Sequence, residues 1–160
     1  MRSLALALLL GTAACGFQLR GTASLPFDTI YVPNATAGIA LELKRSIQAG
    51  TNARVIDDAK AAAAQLQFSE ESRRKEILSL TAAGRVNEYR LFYRVGFRVS
   101  DGKGGDFLPP VSIQLFRDMT YDDSQVLAKE AEEQLLFRDM QSDMVQQVLR
   151  RIATAKPVKS

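Results

Sequence analysis

One thiol and no imidazole bound the chemistry open to this chain. Cys15 is the only cysteine among 160 residues, and histidine is absent. Without histidine, a Ser-His-Asp or Cys-His catalytic site is impossible, and the commonest general base and metal ligand is missing. A lone thiol also has no internal disulfide partner. Its neighbours point to a different reaction. Arg2 carries one positive charge, Leu4 to Leu10 is a nearly pure Leu/Ala stretch, and Gly11-Thr12-Ala13-Ala14 are small. Charge, apolar core and small residues, in that order, read as a secretory signal. The apolar stretch is too short to span a bilayer, which takes about 20 residues.

A small-residue site closing directly on cysteine resembles a bacterial lipobox, where the thiol is acylated and cleavage leaves the cysteine first. On that reading residues 1–14 are a lipoprotein signal peptide and Cys15 is the lipid-attachment residue, carrying palmitate-type acyl chains. Residues 15–26 form the acylated cysteine and its tether. Gly16, Gly21, Thr22, Ser24 and Pro26 break any periodicity there. Each buried CH₂ adds about 0.8 kcal/mol, so two or more acyl chains anchor the protein stably.

The formal charge of +3 includes Arg2, which leaves +2 once the signal is removed. This mild charge comes with no basic helix, zinc-ligand set or Gly-rich phosphate loop, so neither nucleic acid, a metal nor a cofactor is expected. The carboxylate pair Asp118 and Asp122 is the remaining candidate for acid–base work, as in a hydrolase. Its place beside a helix cap is the simpler reading.

Residues 27–155 read as a single α+β domain, with 156–160 as a short tail. Phe27 to Val32 is a short strand stopped by Pro33, and Asn34 to Thr36 offers a cap. Ile39, Leu43 and Ile47 recur every four residues and predict a helix from about Ala37 to Ala49, ended by Gly50. Arg54-Val55-Ile56 is a strand fragment or the entrance to a loop. The alanines of Asp57 to Ala64 favour a helical turn. Leu66 and Phe68 alternate with polar residues, the pattern breaks through Glu70 to Glu76, and it returns at Leu78 and Leu80. One strand with a bulge, or one passing beyond the body of the domain, fits. Thr81 to Gly84 is a hairpin turn.

From Arg85 to Ser100 the alternation is sustained. Tyr89, Leu91, Tyr93, Val95, Phe97 and Val99 form one face; Arg90, Phe92, Arg94 and Arg98 form the other. After the turn at Asp101–Gly105, Val111, Ile113 and Leu115 alternate toward Tyr121. Asp122-Asp123-Ser124 caps a last helix to about Ala153, striped by Phe137, Met140, Met144, Val148 and Ile152. The fold expected is a two-layer sandwich: two helices on one face of a mostly antiparallel four-stranded sheet. The arginine-bearing face is left bare, and Arg90, Phe92, Arg94 and Arg98 are the candidate partner-docking residues.

Cys15-Gly16-Phe17-Gln18-Leu19-Arg20-Gly21 resembles the opening of the outer-membrane LPS-assembly lipoproteins, the LptE family. So do Asn87-Glu88-Tyr89, the run from Phe116 to Asp122, Val126 to Glu130, and Glu133 to Met140. The resemblance implies two helices on a four-stranded sheet, without catalysis. It implies a plug, one to one, inside the large outer-membrane β-barrel that is the LPS translocon, supporting assembly of that barrel and delivery of LPS to the cell surface. It implies outer-membrane, lipid-anchored localisation, facing the periplasm and the barrel lumen. It places LPS contact at a lysine near the start of the last helix, here Lys129, and at a basic residue of the hairpin. The hairpin position falls near Ala82, so Arg85, just past the turn, is the candidate. A different reading of the same anchor and domain is a tethered periplasmic lipoprotein that regulates a cell-wall synthase.

Overall fold

The computed structural model describes residues 23–156. The signal peptide, Cys15 and the first part of the tether lie outside the described residues. Element order is β1 (Thr29–Tyr31), α1 (Gly38–Gly50), β2 (Arg54–Val55), β3 (Ala64–Leu80), β4 (Val86–Ser100), β5 (Asp106–Thr120), a 3₁₀ turn (Asp123–Gln125) and α2 (Val126–Ala153). The sheet has five strands in the order β2-β1-β3-β4-β5. The expected fourth strand is joined by a fifth, because Arg54-Val55 pairs parallel with Thr29-Ile30. β1 in turn pairs parallel with Ala64 and Gln65 of β3. β3, β4 and β5 form an antiparallel meander.

The alternation of β4 decides where the core sits. Leu91, Tyr93, Val95, Phe97 and Val99 are fully buried under the helices. α2 lays Phe137, Met140, Met144, Val148 and Ile152 on them, and α1 adds Ile39, Leu43 and Ile47. The two methionines fill core, as stripes at this spacing usually do. Each such side chain contributes about 1.5–3 kcal/mol when taken out of water.

A polar cluster ties the layers together at the core's edge. Tyr93 Oη donates to Glu71 Oε1 at 2.7 Å, and the Arg73 guanidinium lies 5.1 Å from the Tyr93 ring centre and 5.5 Å from that of Phe137. Arg73 also donates to Gln141 Oε1 at 2.8 Å, and Gln141 donates to Glu42 Oε2 at 2.8 Å. One chain of polar contacts therefore links β3, α2 and α1. Burial, and then the Glu71 carboxylate, push the Tyr93 hydroxyl well above its ordinary pKa.

Three local expectations change. The first helix has no side-chain cap from Asn34 to Thr36; its N-cap is Ala37, with no side-chain hydrogen bond. Asn34 instead takes a left-handed conformation, φ 50°, in a tight turn. Asp57 to Ala63 forms turns and no helix: Asp58 Oδ1 accepts from Lys60 N–H, and the Gln65 side chain donates to Ala59 C=O. The tether's end is packed, since Leu25 and Phe27 are buried and Asn52 bonds both Leu25 N–H and C=O.

β3 is one strand, with a bulge at Ser69 and further register shifts between Ile77 and Ser79 and between Ser79 and Leu80. Its register shifts between Phe68 and Glu70, where Ser69 is the extra residue opposite Gly96. A Cβ on Gly96 would come 2.5 Å from Ser69 Oγ. Glycine is required by that close approach. The hairpin turn is as expected, with Gly84 at φ 76° and Thr81 N–H donating to Arg85 C=O at 2.7 Å. β5 starts earlier than expected, so Pro109 and Pro110 lie within this edge strand, at a register shift between Leu108 and Val111 where neither has a ladder partner.

Leu91→Ala should cost about 2–5 kcal/mol, because a fully buried site in rigid surroundings cannot collapse around the lost atoms; denaturant unfolding checks this. Tyr93 tests the polar cluster by pH. An unfolded tyrosine ionises near pH 10, whereas folded Tyr93 keeps its proton higher, so its stabilising contribution is complete below about pH 10 and is lost as pH rises above that. Tyr93→Phe should flatten the alkaline fall in stability; parallel pH profiles for parent and variant would refute the assignment.

Candidate functional site

The uncovered sheet face is a grid set by register. Ser72, Arg94 and Gln114 lie across one row; Arg74, Phe92 and Phe116 across the next; Glu76, Arg90 and Asp118 across the third. The alternation of β4 puts Arg90, Phe92, Arg94 and Arg98 on this face, as expected, and α1 and α2 pack against the other.

None of the three arginines on β4 is a bare charge. Arg90 donates to both Asp118 oxygens at 2.7 and 2.8 Å, a bidentate geometry, and lies 4.8 Å from the Phe116 ring centre. Those bonds hold the Asp118 carboxyl below its usual range and raise Arg90. Arg94 reaches Glu70 at 3.1 Å and donates to Ser112 Oγ at 2.9 Å. Arg98 pairs with Asp106 at 2.9 Å, while its Nε is buried without a partner. Arg74 covers Phe92 at 5.1 Å. These pairs are partly solvated, so each contributes little to stability. Their effect is to make a stiff, polar and locally neutral surface with two aromatic rings in it. Phe116 is half exposed.

The hairpin end carries the other two predicted residues. Arg85 borders a surface depression shared with Thr81, Asp122 and Asp123. Lys129 is largely covered. Its Nζ donates to Glu132 Oε2 at 2.9 Å and to Thr120 Oγ1 at 3.1 Å. Between them Asp122 accepts from Ser124 N–H at 2.8 Å and from Ser124 Oγ at 2.7 Å, which with Lys129 nearby lowers its pKa. The structure thus brings Arg85 and Lys129 to one end of the domain, on either side of the Asp122 cap, and surrounds them with carboxylates. Asp118 and Asp122 are each engaged, in an ion pair and a cap, and form no acid–base dyad. Among the described residues, no cluster of three acidic or thiol side chains is placed to hold a metal.

Sequence reasoning missed Arg74, Phe116 and Asp118 as parts of the open face. Phe116 and Asp118 were recoverable from the two-residue period of β5. Arg74 was not, because the bulge hides its phase. The apolar residues at the hairpin end were missed too: Ile77, Leu80 and Leu127 are exposed, the last by 82%.

Residues 27–152 match the family described as LptE, lipopolysaccharide-assembly. The LPS-assembly lipoprotein LptE of Yersinia pestis (strain Pestoides F) is 31% identical over 96% of this chain and 78% of its own. That of Pectobacterium atrosepticum is 27% identical over 89% and 79%. Among solved structures, an uncharacterized lipoprotein B from Nitrosomonas europaea superposes with a TM-score of 0.73 at 41% identity, covering 86% of this chain and 90% of that one. A minor lipoprotein from Acinetobacter baumannii gives 0.66 at 25% identity, covering 83% and 99%. With nearly the whole described domain matched, the chain belongs to the LptE family of lipopolysaccharide-assembly lipoproteins.

Proposed function

We propose that this domain is a non-catalytic plug and assembly factor for the β-barrel LPS translocon of the outer membrane, held there by acyl chains on Cys15, and that it assists LPS delivery to the cell surface. The observation that carries the reading is the uncovered sheet face. An open face is ordinary for an antiparallel sheet; what this one adds is cross-bracing, with Arg90 held by Asp118, Arg94 by Glu70, and Phe92 and Phe116 under guanidinium groups. A barrel lumen is polar, and a partner that fills it must present charges whose desolvation is already offset. Ion pairs made within the face meet that condition. No catalytic constellation competes, since histidine is absent and Asp118 and Asp122 are engaged.

LPS recognition falls to Arg85 and Lys129. Both can make charge-assisted bonds to lipid A and core phosphates. Lys129 must first give up Glu132, so it acts as a latched cation, whereas Arg85 is exposed from the start.

Arg90→Glu with Arg94→Glu should reduce co-purification of the large barrel protein from detergent-extracted outer membrane several-fold, while the isolated domain still unfolds cooperatively. Undiminished recovery of the barrel would remove this face as the main contact. Arg85→Asp with Lys129→Asp should weaken LPS binding by the purified protein at moderate salt, leaving barrel recovery intact. Equal LPS affinity in parent and variant would place the LPS contact elsewhere.

A further inference from the structure

Charge is divided between the two ends of the helix layer. α1 has Glu42 in its first half and no acidic residue after it. α2 carries Glu130, Glu132, Glu133, Asp139 and Asp143, then none from Met144 to Lys156. The carboxyl ends of both helices meet at one corner. A cleft of about 310 Å³ between them is lined by Ala49 and Gly50 of α1 and by Leu149, Arg150 and Ala153 of α2. Ala23 N–H donates to Gly50 C=O at 2.9 Å, so the described chain enters at the same corner.

Arg45, Arg150, Arg151 and Lys156 are exposed here. Among the described residues none of them has a carboxylate within 4.0 Å. The contrast is with the open sheet face, where Arg90, Arg94 and Arg98 are each paired. The helix dipole accounts for Arg150 and Arg151 in the last turn of α2. It does not account for Arg45, because the last turn of α1 holds no basic residue. Among nearby basic residues only Lys44 is paired, with Asp57 at 3.2 Å. Like charges gathered without counter-charges repel one another unless an anionic surface faces them.

Position fixes which surface. Cys15 stands eight residues before Ala23. Eight extended residues reach at most about 29 Å. The tether from Cys15 therefore joins the domain at this corner, and the hairpin end, at the other end of α2, is the far pole.

We propose that the corner where α1 and α2 end docks on the anionic phosphate surface of the leaflet that holds the acyl chains, with Arg45, Arg150, Arg151 and Lys156 facing lipid headgroups. This rests on the lipid-anchor part of the reading above and is independent of the barrel. The pairing of an acyl anchor with a basic patch makes two membrane signals, each reinforcing the other. Each cation at such a surface contributes roughly fivefold to binding.

The test uses the chain from residue 15 with Cys15→Ser, so that neither the apolar leader nor an acyl group contributes. Vesicle flotation should show binding to phosphatidylglycerol–phosphatidylethanolamine vesicles, none to phosphatidylcholine, and loss at high salt. Arg150→Glu with Arg151→Glu should lower the partition coefficient roughly twentyfold or more. Arg117→Glu with Arg138→Glu makes the same change in net charge on the half of the domain nearer the hairpin and should bind like the parent. Circular dichroism confirms each fold, and Arg45→Glu on the other helix serves if the α2 variant fails to fold. Absence of phosphatidylglycerol preference, or equal loss in the variant changed at Arg117 and Arg138, overturns the proposal. So does abolition by inorganic phosphate at constant ionic strength, which would assign the corner to a free anion.

Discussion

Leu91, Tyr93, Val95, Phe97 and Val99 stay dry only while the helices lie along them. That requirement organises the molecule. β4 is the one long strand with partners along both edges, so its phase is locked by two ladders. The 28-residue α2 is the cover, and its Phe137-to-Ile152 stripe matches the β4 row. Because both helices lie on one face, no described element covers the other. The bare arginine-bearing side follows from the count of elements as much as from any functional demand.

Much of this was legible because β4 and α2 have clean periods. A two-residue alternation over ten residues and a four-residue stripe over sixteen leave little choice of element or face. The meander and the last helix follow from them. Short elements were harder. β2 is two residues long and exists only because Thr29 and Ile30 lie beside it, a parallel pairing no local pattern encodes. The alanines of 59–63 carry helix propensity, yet the chain needs that stretch to return Ala64 beside Ile30, and tertiary geometry wins. For the candidate site, residue identities on β4 were legible and their partners were not. That Arg90 meets Asp118, or that Lys129 is latched to Glu132, depends on cross-strand register and on one rotamer.

The surfaces that result differ in how their charges are handled. On the open face, arginines are braced by acids in the neighbouring strands and by aromatic rings, so the face offers shape and polarity with little net field. At the hairpin end, cations are embedded among carboxylates. At the opposite corner, cations stand unpaired among the described residues. The three surfaces thus arrange counter-charges in three different ways, and membership of a lipopolysaccharide-assembly family makes anions the natural point of comparison.

Ser69 carries a consequence out of proportion to its size. Before it, Ala64, Leu66 and Phe68 point under the helices; after it, Glu71, Arg73 and Lys75 do. The inward set changes from even to odd positions at that single residue. Deleting Ser69 would leave Phe68, Glu71 and Arg73 in unbroken alternation against Phe97, Val95 and Tyr93, whereas deleting Glu70 as well, or adding a residue beside it, would turn the rest of β3 inside out and drive Arg74 and Glu76 beneath α2. The bulge is thus a point in this strand where a codon can be lost without exchanging the wall of the domain for its lining.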